Sequence, residues 1–114
     1  MSSNQLCPRF HRAVELIGRR WTGAIVRMLL PGPRRFNELL AAIPGLSDRL
    51  LAERLRELEA AGIVDREVRP GAPVQVVYAL TPCGRELEAP LDALGHWAER
   101  WIEAAPNALT ARRS

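Results

Sequence analysis

Cys7 and His11 stand four residues apart, one helical turn, where a thiol and an imidazole could act as nucleophile and base. No third group orients such a pair. The chain also has no glycine-rich phosphate loop, no Gly-x-Ser-x-Gly and no His-Glu-x-x-His. Cys7 and Cys83 lack Cys-x-x-Cys spacing, and with His11 and His96 they offer no second close ligand pair for zinc. The chain therefore reads as a non-enzyme with no metal and no cofactor. Two cysteines are too few for a disulfide framework and fit a reducing compartment. Cys7 alone keeps a chemical reading. It precedes Pro8 at an expected helix start, with Arg9 and Arg12 nearby, and such surroundings favour a thiolate and hence a redox sensor. The competing reading is an inert, half-buried thiol. A peroxide-reducing enzyme built on Cys7 would need a resolving partner that is not evident, and Cys83 reads as incidental.

The second chemistry is that of arginine beside polar side chains on one helical face. Ser47 is a favoured N-cap, and Asp48 suits the first turn of a helix. Leu51, Leu55 and Leu58 then form one apolar stripe. At about 100° per residue, Arg49, Glu53 and Arg56 fall on the opposite face, with Ala52 at its edge. Arginine can pair bidentately with guanine, and glutamate can accept from cytosine N4. The plainer alternative is a capped helix with a solvated face of i, i+3 and i, i+4 charge pairs. Arg54 lies nearer the stripe and reads as a structural ion pair with Glu57 or Glu38. Arg34 and Arg35 suit phosphate anchoring or simple exposure; of Arg66, Arg69 and Gln75 further on, some are expected to reach the DNA backbone or a minor groove, and alternation alone does not say which. Arg19 and Arg20 could equally stabilise the end of the first helix.

These residues need elements to position them. Pro8 at a first helical position predicts a helix to about Ile17, broken at Gly18. Ala24, Ile25, Met28 and Leu29 predict a second helix over 22–30, stopped by Pro31-Gly32-Pro33. Phe36, Leu39, Leu40 and Ile43 predict a short third helix, closed by Pro44 and Gly45. The Ser47-capped helix runs over about 48–61 to Gly62, a suitable C′ residue. Alternation then replaces helical spacing. One strand leads from Ile63 and Val64 to Arg69, the segment 70–73 turns, and a β-branched strand covers 74–80. Thr81 and Pro82 open a last helix, whose stripe includes Leu87, Leu91, Leu94, Trp97, Trp101 and Ile102, with a kink or break expected at Pro90. The fold class is mainly α with a small β-hairpin (α+β). A short helix, a Pro-Gly turn and a capped amphipathic helix make a helix-turn-helix, and the hairpin over about 64–80 is its wing.

The chain has 114 residues, which allows one domain over residues 1–105, with a flexible tail expected at 106–114. Composition, at 47% hydrophobic and 25% charged, supports a real core. No apolar run is long enough for a membrane span, and Met1 to Leu6 does not read as a signal peptide, so a cytoplasmic protein is expected. Net charge is +3, and all sixteen basic residues are arginine. Residues 1–36 alone carry seven Arg and one Glu. Base composition of the coding DNA can explain the missing lysines, but a basic first third also suits a polyanion partner. A long apolar stripe on the last helix suits self-association. Leu94, Trp97 and Trp101 are expected at a homodimer interface, with Phe10, Val14 and Ile17 of the first helix.

The same residues resemble a family. Cys7-Pro8, Arg20-Trp21, Arg35-Phe36-Asn37-Glu38-Leu39 and Gly45-Leu46-Ser47 are similar to HxlR-type bacterial transcriptional regulators. So are Arg54-Leu55-Arg56-Glu57-Leu58-Glu59-Ala60-Ala61-Gly62-Ile63-Val64, Tyr78-Ala79-Leu80-Thr81, Gly84, and Leu94 with Trp97. The resemblance spans about residues 7 to 102. It implies a MarR-related winged helix-turn-helix that binds double-stranded DNA as a homodimer on paired half-sites. It also implies a small-molecule, redox or electrophile signal, with Cys7 as a sensor in some members. Arg20 replaces the usual lysine before the tryptophan, and Val77 replaces an acidic residue before the strand tyrosine. The alternative is a winged-helix protein-interaction module without DNA binding, since Glu53, Glu57 and Glu59 would repel phosphate if they faced it.

Overall fold

The computed structural model describes residues 7–103. The expected domain boundary at 105–106 and the tail beyond it lie outside those residues. Pro8 opens α1 (Pro8–Ile17), which ends at Gly18. Then come α2 (Thr22–Leu29), a two-residue strand β1 (Arg34–Arg35) and α3 (Phe36–Ala42). After a turn, α4 (Asp48–Ala60) leads to β2 (Val64–Arg69) and β3 (Gln75–Leu80). The short α5 (Pro82–Arg85) and the longer α6 (Glu88–Trp101) complete the order.

Local chemistry sets most of these limits. The Ser47 hydroxyl accepts from the Leu50 N–H at 3.1 Å and caps α4. Gly62 stands past the other end at φ 76°, the left-handed conformation that ends helices. Thr81 caps α5 by accepting from the Gly84 N–H at 3.0 Å. Its hydroxyl donates in turn to the Gly62 carbonyl at 2.6 Å, which ties the start of α5 to the end of α4.

Two expectations needed correction. The last helix was expected to be interrupted at Pro90, but the break falls earlier, around Glu86 and Leu87, and gives two helices. Pro90 lies in the first turn of α6, where a missing N–H forfeits no intrahelical bond. The sheet is also larger than the expected hairpin. β1 adds a third antiparallel strand in the order β1-β3-β2, with Arg34 opposite Tyr78 and Arg35 opposite Val77.

The core joins Ile25, Val26 and Leu29 of α2 to Leu39, to Leu51, Leu55 and Leu58 of α4, and to Val64, Leu80 and Leu91. Burial of one such leucine or valine side chain contributes about 1.5–3 kcal/mol, so the α4 stripe is a main anchor of the helix-turn-helix. Arg27 of α2 donates to the Leu91 carbonyl at 3.1 Å and lies 3.8 Å from Asp92, which docks α6 on this body. None of the helices among the described residues is long and apolar enough to cross a membrane.

Candidate nucleic-acid interface

Burial of its leucine stripe turns the other face of α4 outward. Ser47, Asp48, Arg49 and Arg56 are exposed, while Ala52 and Glu53 are half-buried beside them. Among the described residues, neither Arg49 nor Arg56 has an ion pair. Both guanidiniums therefore keep their donors for an external acceptor. Glu57, which counted against a polyanion partner, is paired internally. Its Oε2 accepts from Arg54 Nη1 at 3.2 Å, and its Oε1 lies 3.2 Å from Arg19 Nε. Arg54 is buried and also donates from Nε to the Arg20 carbonyl at 2.9 Å. Its partner is thus Glu57, and Glu38 is engaged elsewhere.

Arg34 and Arg35 have structural duties in addition to any external one. Arg34 Nε donates to the Met28 carbonyl at 2.8 Å, which holds β1 against the end of α2. The Arg35 N–H donates to Glu38 Oε1 at 2.8 Å. That bond, helped by the charges of Arg35 and Arg34, keeps the Glu38 carboxyl below its ordinary pKa.

Strand register separates the remaining basic residues. Val64 pairs with Leu80, Arg66 with Tyr78, Glu67 with Val77 and Arg69 with Gln75. Residues directly opposite share a face, and successive residues alternate. Arg66 therefore shares a face with Tyr78 and Arg34, whereas Arg69 and Gln75 share the other with Asp65, Glu67 and Arg35. Arg69 lies 4.0 Å from Glu67, and Arg66 has no ion pair among the described residues. Alternation already puts Arg66 and Arg69 on opposite faces, but their cross-strand neighbours need the register between strands.

On α1 and α6, Phe10, Val14, Leu94, Trp97 and Trp101 are all more than half exposed. Ile17, expected with them, is instead half-buried against the chain's own core. Cys7 is the N-cap residue of α1 and a half-buried free thiol, and Cys83 is a free, exposed one. The nearest carboxylate contact of His11 is Glu15, at 3.6 Å. An open groove of about 540 Å³ at the end of α1 is lined by Val14, Glu15, Leu16, Gly18 and Arg19.

Sequence reasoning placed Arg54 beside the stripe but missed the junction of α1 and α2 that receives it. The usable signal was an arginine one residue before a buried leucine. β1 left no signal of its own, since two arginines do not announce a strand.

A three-stranded sheet behind a capped second helix, over one helical core, defines a winged helix-turn-helix, a class of DNA-binding transcriptional regulators rather than enzymes. Residues 16–106 match the HxlR-like helix-turn-helix family, and the chain belongs to it. It is 46% identical over 103 residues to the uncharacterized HTH-type transcriptional regulator YvaP of Bacillus subtilis, covering 90% of this chain and 95% of that one. It is 44% identical over 100 residues to the HTH-type transcriptional regulator YodB of the same organism, covering 88% and 89%. The solved reduced form of YodB superposes with a TM-score of 0.79 at 42% identity, over 89% of this chain and 99% of that one. The redox regulator HypR in its oxidized form gives 0.79 at 38% identity, over 86% and 100%.

Proposed function

We propose that two copies of this chain bind double-stranded DNA as a homodimer on paired half-sites. In each copy α4 enters a major groove, N-terminus first, about 34 Å from its counterpart. The observation that carries the reading is the free pair Arg49 and Arg56, exposed on a helix whose opposite stripe is fully buried. Arg49 and Arg56 read base edges, Glu53 accepts from a cytosine, and Ser47 and Ala52 lie at the same edge. Arg34, Arg35, Arg66, Arg69 and Gln75 hold phosphates. The exposed Phe10, Val14, Leu94, Trp97 and Trp101, with Ile17 behind them, supply the dimer surface, because large apolar groups favour burial against a second copy.

The regulator is controlled at Cys7 or by a small molecule at the dimer surface. Support comes from its likeness to YodB, which has been solved diamide-treated and quinone-bound, at 43% and 41% identity. Cys7 stands at the mouth of α1, which has no fully buried residue and meets the core through Leu16 and Ile17 at its far end, so a covalent change at Cys7 acts on the less anchored end of the helix.

The test is fluorescence anisotropy with DNA from upstream of the coding region and a scrambled duplex of equal length, across a salt series. A preference of about a thousandfold or more, with affinity falling steeply in salt, is expected. Equal binding to both, or none, refutes the reading for that DNA. Diamide is expected to weaken binding by the parent but not by Cys7→Ser.

A further inference from the structure

The junction between α1 and α2, residues 18–21, grips the helix-turn-helix at two points. Trp21 adopts the left-handed region at φ 76°. Its ring lies against Gly45 in the α3–α4 turn, so close that a Cβ on Gly45 would stand 3.4 Å from it. The second grip is on α4 itself. Arg54, 8% exposed, donates to the Arg20 carbonyl and to Glu57, whose other oxygen faces Arg19. That Glu57 oxygen is buried and receives no aligned hydrogen bond, so the Arg19 arm is held by charge rather than geometry. Arg19 also lines the open groove at the end of α1, which leaves this arm accessible from outside.

Arg54 is buried and cannot reach a base edge. Its guanidinium fork instead joins the backbone of the junction to the helix proposed to read DNA. We infer that Arg54 and Glu57 are positioning residues for DNA binding. They fix α4 relative to the α1–α2 junction, and hence fix the separation of the two α4 helices in a homodimer. The inference rests on the homodimeric DNA-binding reading above. A tight grip selects one half-site spacing, and a loosened grip tolerates several.

The experiment uses the full chain and half-sites it has selected from a random DNA pool, joined at spacings varied by one and two base pairs. Arg54→Leu strips a buried pair and is the variant most prone to unfold, so Arg19→Gln and Glu57→Gln carry the test. Arg19→Gln removes an exposed arm, and its preference for the parent's best spacing is expected to fall about two- to fivefold. Glu57→Gln leaves the buried Arg54 without its ionic partner, and its preference should fall on the order of tenfold. Affinity for an isolated half-site and the salt slope stay as in the parent, and Arg19→Lys keeps the parent's spacing preference. Amide exchange quickens at residues 18–22 and in α4 of both glutamine variants. A uniform loss at every spacing with the preference intact overturns the inference, as does unchanged exchange. A parent chain that selects no sequence overturns the DNA-binding reading, and with it the role given to this grip, whatever the exchange shows.

Discussion

Arg49 and Arg56 should read two different base pairs, about two to three steps apart. The helix repeat turns seven residues through about 700°, so the two side chains lie within about 20° of the same direction. The rise of about 1.5 Å per residue separates them by roughly 10.5 Å along α4. At about 3.4 Å per base pair that distance is at most about three steps, and a helix inclined to the DNA axis in the groove spans fewer. Both are exposed, and neither has an ion pair among the described residues. Alanine at either position should therefore change folding stability by less than about 0.5 kcal/mol. The loss should appear in binding instead, at about 1–3 kcal/mol, or roughly 5- to 150-fold, at one base pair each. With no shared partner, the two losses should add in the double variant. The assay is anisotropy against a panel of duplexes carrying each single-base substitution. Two relaxed positions no more than about three steps apart bear out the geometry. A uniform loss over all sequences, with the salt slope reduced by about one, would mean phosphate contact and refute base reading.

Other consequences follow from local contacts. Gly84 is buried, and a Cβ there would fall on the Ile63 carbonyl oxygen and crowd Leu80. Gly84→Ala should destabilise by about 1–3 kcal/mol in urea unfolding, and an unchanged midpoint would mean that α5 can shift freely. Ser47→Ala removes the α4 cap and should lower stability by about 1 kcal/mol, with Ser47→Asp retaining it, as the same unfolding assay would report. Because its folded pKa is lowered, Glu38 stabilises the start of α3 at pH values above the ordinary carboxylate range. That contribution is lost as pH falls through the depressed folded value. An NMR titration should give a Glu38 midpoint below that of an exposed glutamate, with the Arg35 amide moving in step. A midpoint at or above the ordinary value would contradict the bond.

Much of this fold was legible along the chain because its signals are local. Pro8, Ser47, Gly62, Thr81 and Pro82 act within one helical turn, and each marks an element boundary in the structure. The leucine stripe of α4 follows from helical period alone, and with it the outward placement of Arg49 and Arg56. The order of elements and the family pattern then specify a winged helix-turn-helix.

Tertiary structure decided what depends on residues far apart in sequence. β1 exists because Arg34 and Arg35 find Tyr78 and Val77 across a sheet, a pairing that no local propensity encodes. The register of β2 on β3 set Tyr78 opposite Arg66 and Gln75 opposite Arg69, since a slip of one residue would exchange the neighbours of each. Ile17 is half-buried against the core, a placement that depends on how α1 lies on the rest of the chain. Arg54 was charged in sequence and buried in space; Glu57 is a local partner, but the approach of the Arg20 carbonyl, thirty-four residues away, gave its Nε a place to bond. Period and capping are encoded within a turn, whereas the pairing of buried polar groups is settled when distant segments meet and water is excluded between them.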